Sequence, residues 1–115
     1  MAGKKDLIKD KDRFSILVPY IDRCYICGST NGLSLHEVFY GNANRKKSKE
    51  DGMIMPLCRE HHLGTNGVHN NKQLDLKLKQ QAEKIWISKF TDKSLSLSDQ
   101  IDLFIKRYGK NYLDE

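Results

Sequence analysis

The sequence predicts an α+β domain, on three observations. The apolar stretches of the first half are short and strand-like, the second half carries two longer patterns of helical period, and the strands precede the helices. A chain of 115 residues suits one domain. With 38 % hydrophobic and 30 % charged residues, its core is thin, and an additional staple is expected.

Residues 1–13 are polar and rich in Lys and Asp, and read as a loosely ordered arm; 14–115 form the single domain. Residues 14–21 are apolar but interrupted by Pro19, which predicts a short strand or an extended packing segment. Residues 33–40 read as a strand, in which Leu33, Leu35, Glu37 and Phe39 share one face and Ser34, His36, Val38 and Tyr40 the other. If the leucine face is the core, His36 points outward and Glu37 inward, where it needs a partner. Residues 41–52 read as a polar, basic loop, and 53–57 as a short apolar stretch leading into Cys58. Over 71–90, Leu74, Leu78, Ala82, Ile85 and Trp86 recur at spacings of three and four and predict a helix with one core-facing stripe. A second helix is predicted over about 98–107, with Ser98 as N-cap and Gly109 just beyond its end.

The formal net charge is +5, a balance that suits a polyanionic partner without identifying one. No apolar run approaches the ~20 residues of a membrane span, and the charged start lacks the apolar stretch of a signal peptide. A soluble, cytoplasmic protein with no membrane partner is the expectation. Three cysteines, an odd number, argue against a disulfide framework.

The strongest local pattern is Cys24-x2-Cys27 followed, thirty residues on, by Cys58-x2-His61. Two pairs, each with two residues between, supply the four N/S ligands of a tetrahedral zinc ion. Gly28 permits the left-handed backbone such a turn uses. A second pair at a helix start would complete the site, where positive backbone ends favour thiolate. A redox pair at Cys24 and Cys27 with Cys58 as a core thiol is the competing reading, but no βαβ pattern surrounds the pair. Structural Zn2+ would also answer the thin core, because its binding free energy becomes folding free energy.

His36, His62 and His69 remain. The set Cys24-x2-Cys27, Leu35-His36-Glu37-Val38-Phe39, Asn44-Arg45, Leu57-Cys58-x2-His61-His62 and Gly67-Val68-His69 resembles the HNH endonuclease superfamily, above all the small phage- and prophage-type nucleases with a treble-clef zinc knuckle. The resemblance spans roughly residues 20–112. It implies a ββα-metal fold followed by helices, and divalent-metal-dependent hydrolysis of DNA phosphodiesters in a bacterial or phage-encoded cytoplasmic enzyme. It implies a catalytic ion, Mg2+ or another divalent metal, beside the zinc.

By position, His62 matches the motif's last histidine, a ligand of the catalytic ion, and His69 is a further ligand or a loop histidine. His36 falls in the motif's first pair. Either it binds the ion and Glu37 holds the base position, or His36 is the base and Leu35 replaces a ligand. An imidazole of near-neutral pKa favours His36 as general base, with Glu37 ligating the ion or supporting its ligands. The family's central asparagine has no counterpart at Gly52-Met53; Asn42 and Asn44 lie earlier. The run Arg45, Lys46, Lys47, Ser48, Lys49, with Asn44, is expected to grip DNA phosphates. A non-catalytic zinc module that binds nucleic acid is the alternative: it keeps the zinc and the charge but has no use for His36 and His62.

Overall fold

The computed structural model describes residues 13–114, so the expected arm lies outside the described residues except for Arg13. Strand β1 (Ser34–Glu37) pairs antiparallel with β2 (Ile54–Leu57), His36 opposite Met55 and Glu37 opposite Ile54. Helix α1 (Asn44–Asp51) stands between the strands, and α2 (Arg59–Leu63), α3 (Lys72–Phe90) and α4 (Leu97–Tyr108) follow. The architecture is therefore α+β, with one two-stranded sheet and four helices among the described residues. No helix among those residues is long and apolar enough to cross a membrane.

All four residues of β2 are buried, and its backbone is covered from both directions. Ser15 Oγ donates to the Ile54 carbonyl at 2.6 Å, and Tyr25 N–H donates to the Pro56 carbonyl at 2.8 Å. The 14–21 stretch is thus an extended packing segment, not a strand. Its turn is closed by Ser15 Oγ, which accepts from Leu17 N–H and Val18 N–H. Pro19 is exposed beyond it.

The basic loop expected over 41–52 is instead mostly helix α1. Arg, Lys and Glu are good helix formers, but this helix has no apolar stripe to reveal it. It packs through polar atoms. Ser48 is fully buried and reciprocates with Phe39, donating Oγ to its carbonyl at 2.6 Å and accepting its N–H at 3.1 Å. Gly52 closes the helix at φ 73°, and Met53 N–H donates back to the Ser48 carbonyl at 2.8 Å. A Cβ at Gly52 would lie 2.6 Å from the Phe14 ring, so backbone conformation and space both require glycine there.

Helix α3 follows its expected stripe: Leu78, Ala82 and Trp86 are buried, Leu74 and Ile85 half-buried. Asn71 caps it by accepting from Gln73 N–H and Leu74 N–H. Helix α4 starts at Leu97, because its cap lies two residues earlier than expected, Ser96 rather than Ser98 accepting from Asp99 N–H at 3.1 Å. Gly109 ends it as predicted. The two helices clamp an aromatic cluster in which Phe39 meets Phe104 at 5.1 Å and Tyr108 at 4.5 Å between ring centroids, and Trp86 meets Phe104 at 5.4 Å. Asp51 ties α1 to both, accepting from Trp86 Nε1 at 2.9 Å, Tyr108 Oη at 2.7 Å and the Arg107 guanidinium.

Two candidate metal centres

Cys24, Cys27, Cys58 and His61 meet at one point, their ligand atoms all within 4.8 Å of one another. The first pair sits on a tight turn: Gly28 N–H donates to the Cys24 carbonyl at 2.9 Å, and Cys24 N–H to the Ser29 carbonyl at 2.8 Å. The second pair rides α2. Cys58 is its N-cap residue, in extended conformation, and His61 comes round on the same side three residues later. With zinc bonds of about 2.3 Å to sulfur and 2.0 Å to nitrogen, tetrahedral angles put sulfurs about 3.8 Å apart and sulfur and nitrogen about 3.5 Å apart. Cys27 Sγ and Cys58 Sγ are 3.7 Å apart; His61 Nδ1 lies 3.7 Å from Cys24 Sγ and 3.3 Å from Cys58 Sγ. The geometry fits a tetrahedral ion. Burial pushes the Cys24 thiol up, but hydrogen bonds from the backbone of Cys58, Cys27 and Ile26 outweigh it and bring the pKa down to about 6. Thiolate, the ligating form, is thereby favoured at Cys24.

The second group is His36, His62 and His69, whose ligand nitrogens also lie within 4.8 Å of one another. Each ring comes from a different part of the chain: β1, the last turn of α2, and the loop after it. His36 lies 5.2 Å from His62 and 5.3 Å from His69 between centroids, and His62 Nε2 faces His69 Nε2 at 3.2 Å. Two nitrogens bound to one ion by bonds of about 2.1 Å would be separated by about 3.0–3.4 Å. Buried His36 Nε2 and His62 Nδ1 have no hydrogen-bond partner among the described residues. Burial, then the neighbouring charges of His62, His69, Lys79 and Arg45, hold His36 down at about 3. Burial and His69 lower His62 as well. Neutral imidazoles with free lone pairs are what a metal requires.

The outward position conditionally expected for His36 is not found. Leu33 and Leu35 are only half-buried, while His36 is 4 % exposed and packs on His62, His69 and Tyr40. Glu37 has the partners its position demands, Arg13 at 3.2 Å and Arg45 at 3.5 Å. A cavity of about 230 Å3 opens over the cluster, lined by His36, Glu37, Tyr40, Arg45, His62 and His69 among others.

The expected phosphate-gripping set divides. Arg45 reaches the cavity and Lys46 is exposed. Ser48 is a correction: its hydroxyl is spent on Phe39 inside the molecule. Lys49 is buried too. Asn44 Nδ2 donates to the Tyr108 carbonyl at 3.0 Å and Lys47 Nζ to the Arg107 carbonyl at 2.8 Å, both capping α4. The run is helical, so its side chains radiate instead of lining one groove.

Sequence reasoning missed two contributors. Tyr40 walls the cavity, its ring 5.2 Å from that of His69, and its hydroxyl donates to Asp75 at 3.0 Å. Gly67 lets the loop lie directly on α2; a Cβ there would stand 2.7 Å from the Glu60 carbonyl oxygen. Its nearness to His69 in Gly67-Val68-His69 was the available signal. Comparison with protein-family models, characterised proteins and solved structures finds no match to this chain.

Proposed function

We propose that the protein is a divalent-metal-dependent endonuclease of HNH type that hydrolyses DNA phosphodiester bonds and carries a structural zinc. The observation that carries the reading is the convergence of three imidazoles on one cavity, with an arginine at its wall and a tetrahedral Cys3His cluster beside it. The antiparallel β1–β2 pair followed by α2 supports a ββα-metal arrangement.

In this reading Cys24, Cys27, Cys58 and His61 hold zinc. His62 and His69 hold the catalytic ion, and the unpartnered Nε2 of His36 favours the alignment in which His36 is the third ligand. The ion supplies Lewis-acid stabilisation of charge at the phosphate and leaving oxygen. Arg45 binds a non-bridging phosphate oxygen. In doing so it leaves Glu37, whose Oε1 it otherwise holds, and that oxygen becomes free to accept the proton of the attacking water. An all-imidazole ligand set suits Mn2+, Co2+, Ni2+ or Zn2+ better than Mg2+, which prefers oxygen.

Nicking of supercoiled plasmid tests the reading. Wild-type protein should cut with Mn2+, Co2+ or Ni2+ and more weakly with Mg2+. His62→Ala should lose at least about two orders of magnitude, the scale of a lost catalytic group. Salt-sensitive DNA retention without cleavage under any of these metals would sink the nuclease and favour the non-catalytic zinc module.

A further inference from the structure

We infer that the two clusters are coupled: the Cys3His cluster organises the histidine cluster, and the ions load in that order. The inference rests on the reading of both clusters as metal sites and adds how one governs the other.

The coupling element is α2 with the loop folded over it. Adjacent residues on this helix serve different clusters, His61 the first and His62 the second. Helix α2 has five residues, none buried, and no side-chain cap. A helix of one turn does not persist by itself. Besides the Arg59 N–H bond to the Asn31 carbonyl at 3.1 Å and the Asn70 side chain on the Leu63 and Gly64 carbonyls, its anchorage falls to Cys58 and His61. The loop then carries His69 back across it. Val68 N–H donates to the His61 carbonyl at 2.9 Å, and His69 N–H reaches the His62 carbonyl at 3.5 Å. Gly67 makes this approach possible, because a Cβ there would stand 2.8 Å and 2.9 Å from the His62 and His61 carbonyl carbons. Those are backbone atoms and cannot swing aside.

His36 differs from its two partners. It stands on β1, fixed by its register with β2 opposite Met55. One ligand of the histidine cluster is therefore held by the sheet, and two are delivered by a segment that the Cys3His cluster anchors. Without an ion among the thiolates, His36 is left with two imidazoles on a loosened segment, and binding there must also pay for ordering them. Linkage makes the effect mutual. An ion at the histidines must tighten the thiolate cluster by the same factor.

Cobalt titration tests this, since thiolate ligation gives a strong charge-transfer absorption that imidazole ligation lacks. In wild-type protein the thiolate absorption should saturate within the first equivalent, and the second should add only weak visible bands. Gly67→Ala should keep the thiolate absorption yet bind the second ion at least about tenfold more weakly. Cys27→Ser should weaken the second ion as well, although Cys27 belongs to the other cluster. For the reciprocal test, chelator competition followed at the thiolate band compares wild type with His36→Ala, whose altered residue stands on β1 and belongs to the histidine cluster, not to the Cys3His set. With excess Co2+ present, wild type should resist the chelator better. Equal resistance, or Gly67→Ala binding two ions as wild type does, overturns the coupling and leaves the nuclease reading standing. Ordered loading without plasmid cleavage keeps the coupling and removes the nuclease. A wild-type protein that takes no second ion overturns both.

Discussion

Helices α2 and α4 are held by opposite means. Helix α4 has twelve residues, a serine cap, a left-handed glycine at its end, and Phe104 and Tyr108 buried in an aromatic cluster. Helix α2 has five residues and buries none. What α4 obtains from packing, α2 would obtain from Cys58 and His61 as ligands of the proposed ion. On the proposed zinc reading the molecule is stabilised in two ways, ligation around the Cys3His cluster and hydrophobic burial around α3 and α4. Trimming the packing should leave the ligation in place, whereas removing the ligation should unfold both.

The largest effect is expected on the ligation side. Cys58→Ser, or exhaustive chelation, removes the residue that both starts α2 and binds the ion. Structural zinc sites contribute roughly 10 kcal/mol or more to the folded state. This is comparable to the whole stability of a domain of this size, about 5–15 kcal/mol, so the variant should be zinc-free and lose most of its tertiary structure. Zinc analysis with near-ultraviolet circular dichroism reads both, and a metal-free protein with a wild-type spectrum would refute the staple. The packing side predicts the converse. Phe104, fully buried, meets Phe39, Trp86 and Tyr108. Phe104→Ala should cost about 3–5 kcal/mol in denaturant unfolding while native protein keeps its zinc. Stoichiometric loss of zinc from that variant under native conditions would show that the halves are one unit.

The same division explains what could be read from the chain. Packing leaves a periodic trace, so α3 was visible from Leu74 to Trp86 and α4 from Ile101 to Ile105. The Cys-x2-Cys and Cys-x2-His spacings were equally legible, because a tetrahedral ion restricts local sequence. Helix α1 left no trace, since it packs through Ser48 and Asp51, and such polar contacts have no period. The histidine cluster was legible in its members but not in its geometry. His36 points outward only if the leucine face is the core, and strand alternation places residues on faces without saying which face is covered. Here His62, His69 and Tyr40 cover the histidine side, and only the folded-back loop over Gly67 brings His69 there. The phosphate-binding run was over-read for the same reason: consecutive residues on a helix do not face one groove.

The smallest predicted effect separates the two halves by the sign of their pH dependence. The ligation side weakens as pH falls, because thiolates and imidazoles must shed protons to bind. Glu83, on the packing side, acts in the other direction. Its side chain is fully buried on α3; Oε1 accepts the Tyr112 N–H at 2.8 Å, and Oε2 has no partner among the described residues. Burial holds its carboxyl above the ordinary value of 4.5, the Tyr112 N–H opposes that, and Asp114 adds to it. Between the ordinary and the raised value, the folded protein retains a proton that the unfolded chain has released. The stabilisation present below the unfolded value is therefore lost as pH rises through the folded one. Glu83→Gln keeps an oxygen for Tyr112 and removes the charge. Denaturant unfolding of zinc-loaded protein should show the variant gaining on wild type as pH rises from 4.5 toward neutrality. A constant difference across that window would mean that Glu83 is already solvated, and that the burial seen around α3 does not control its proton.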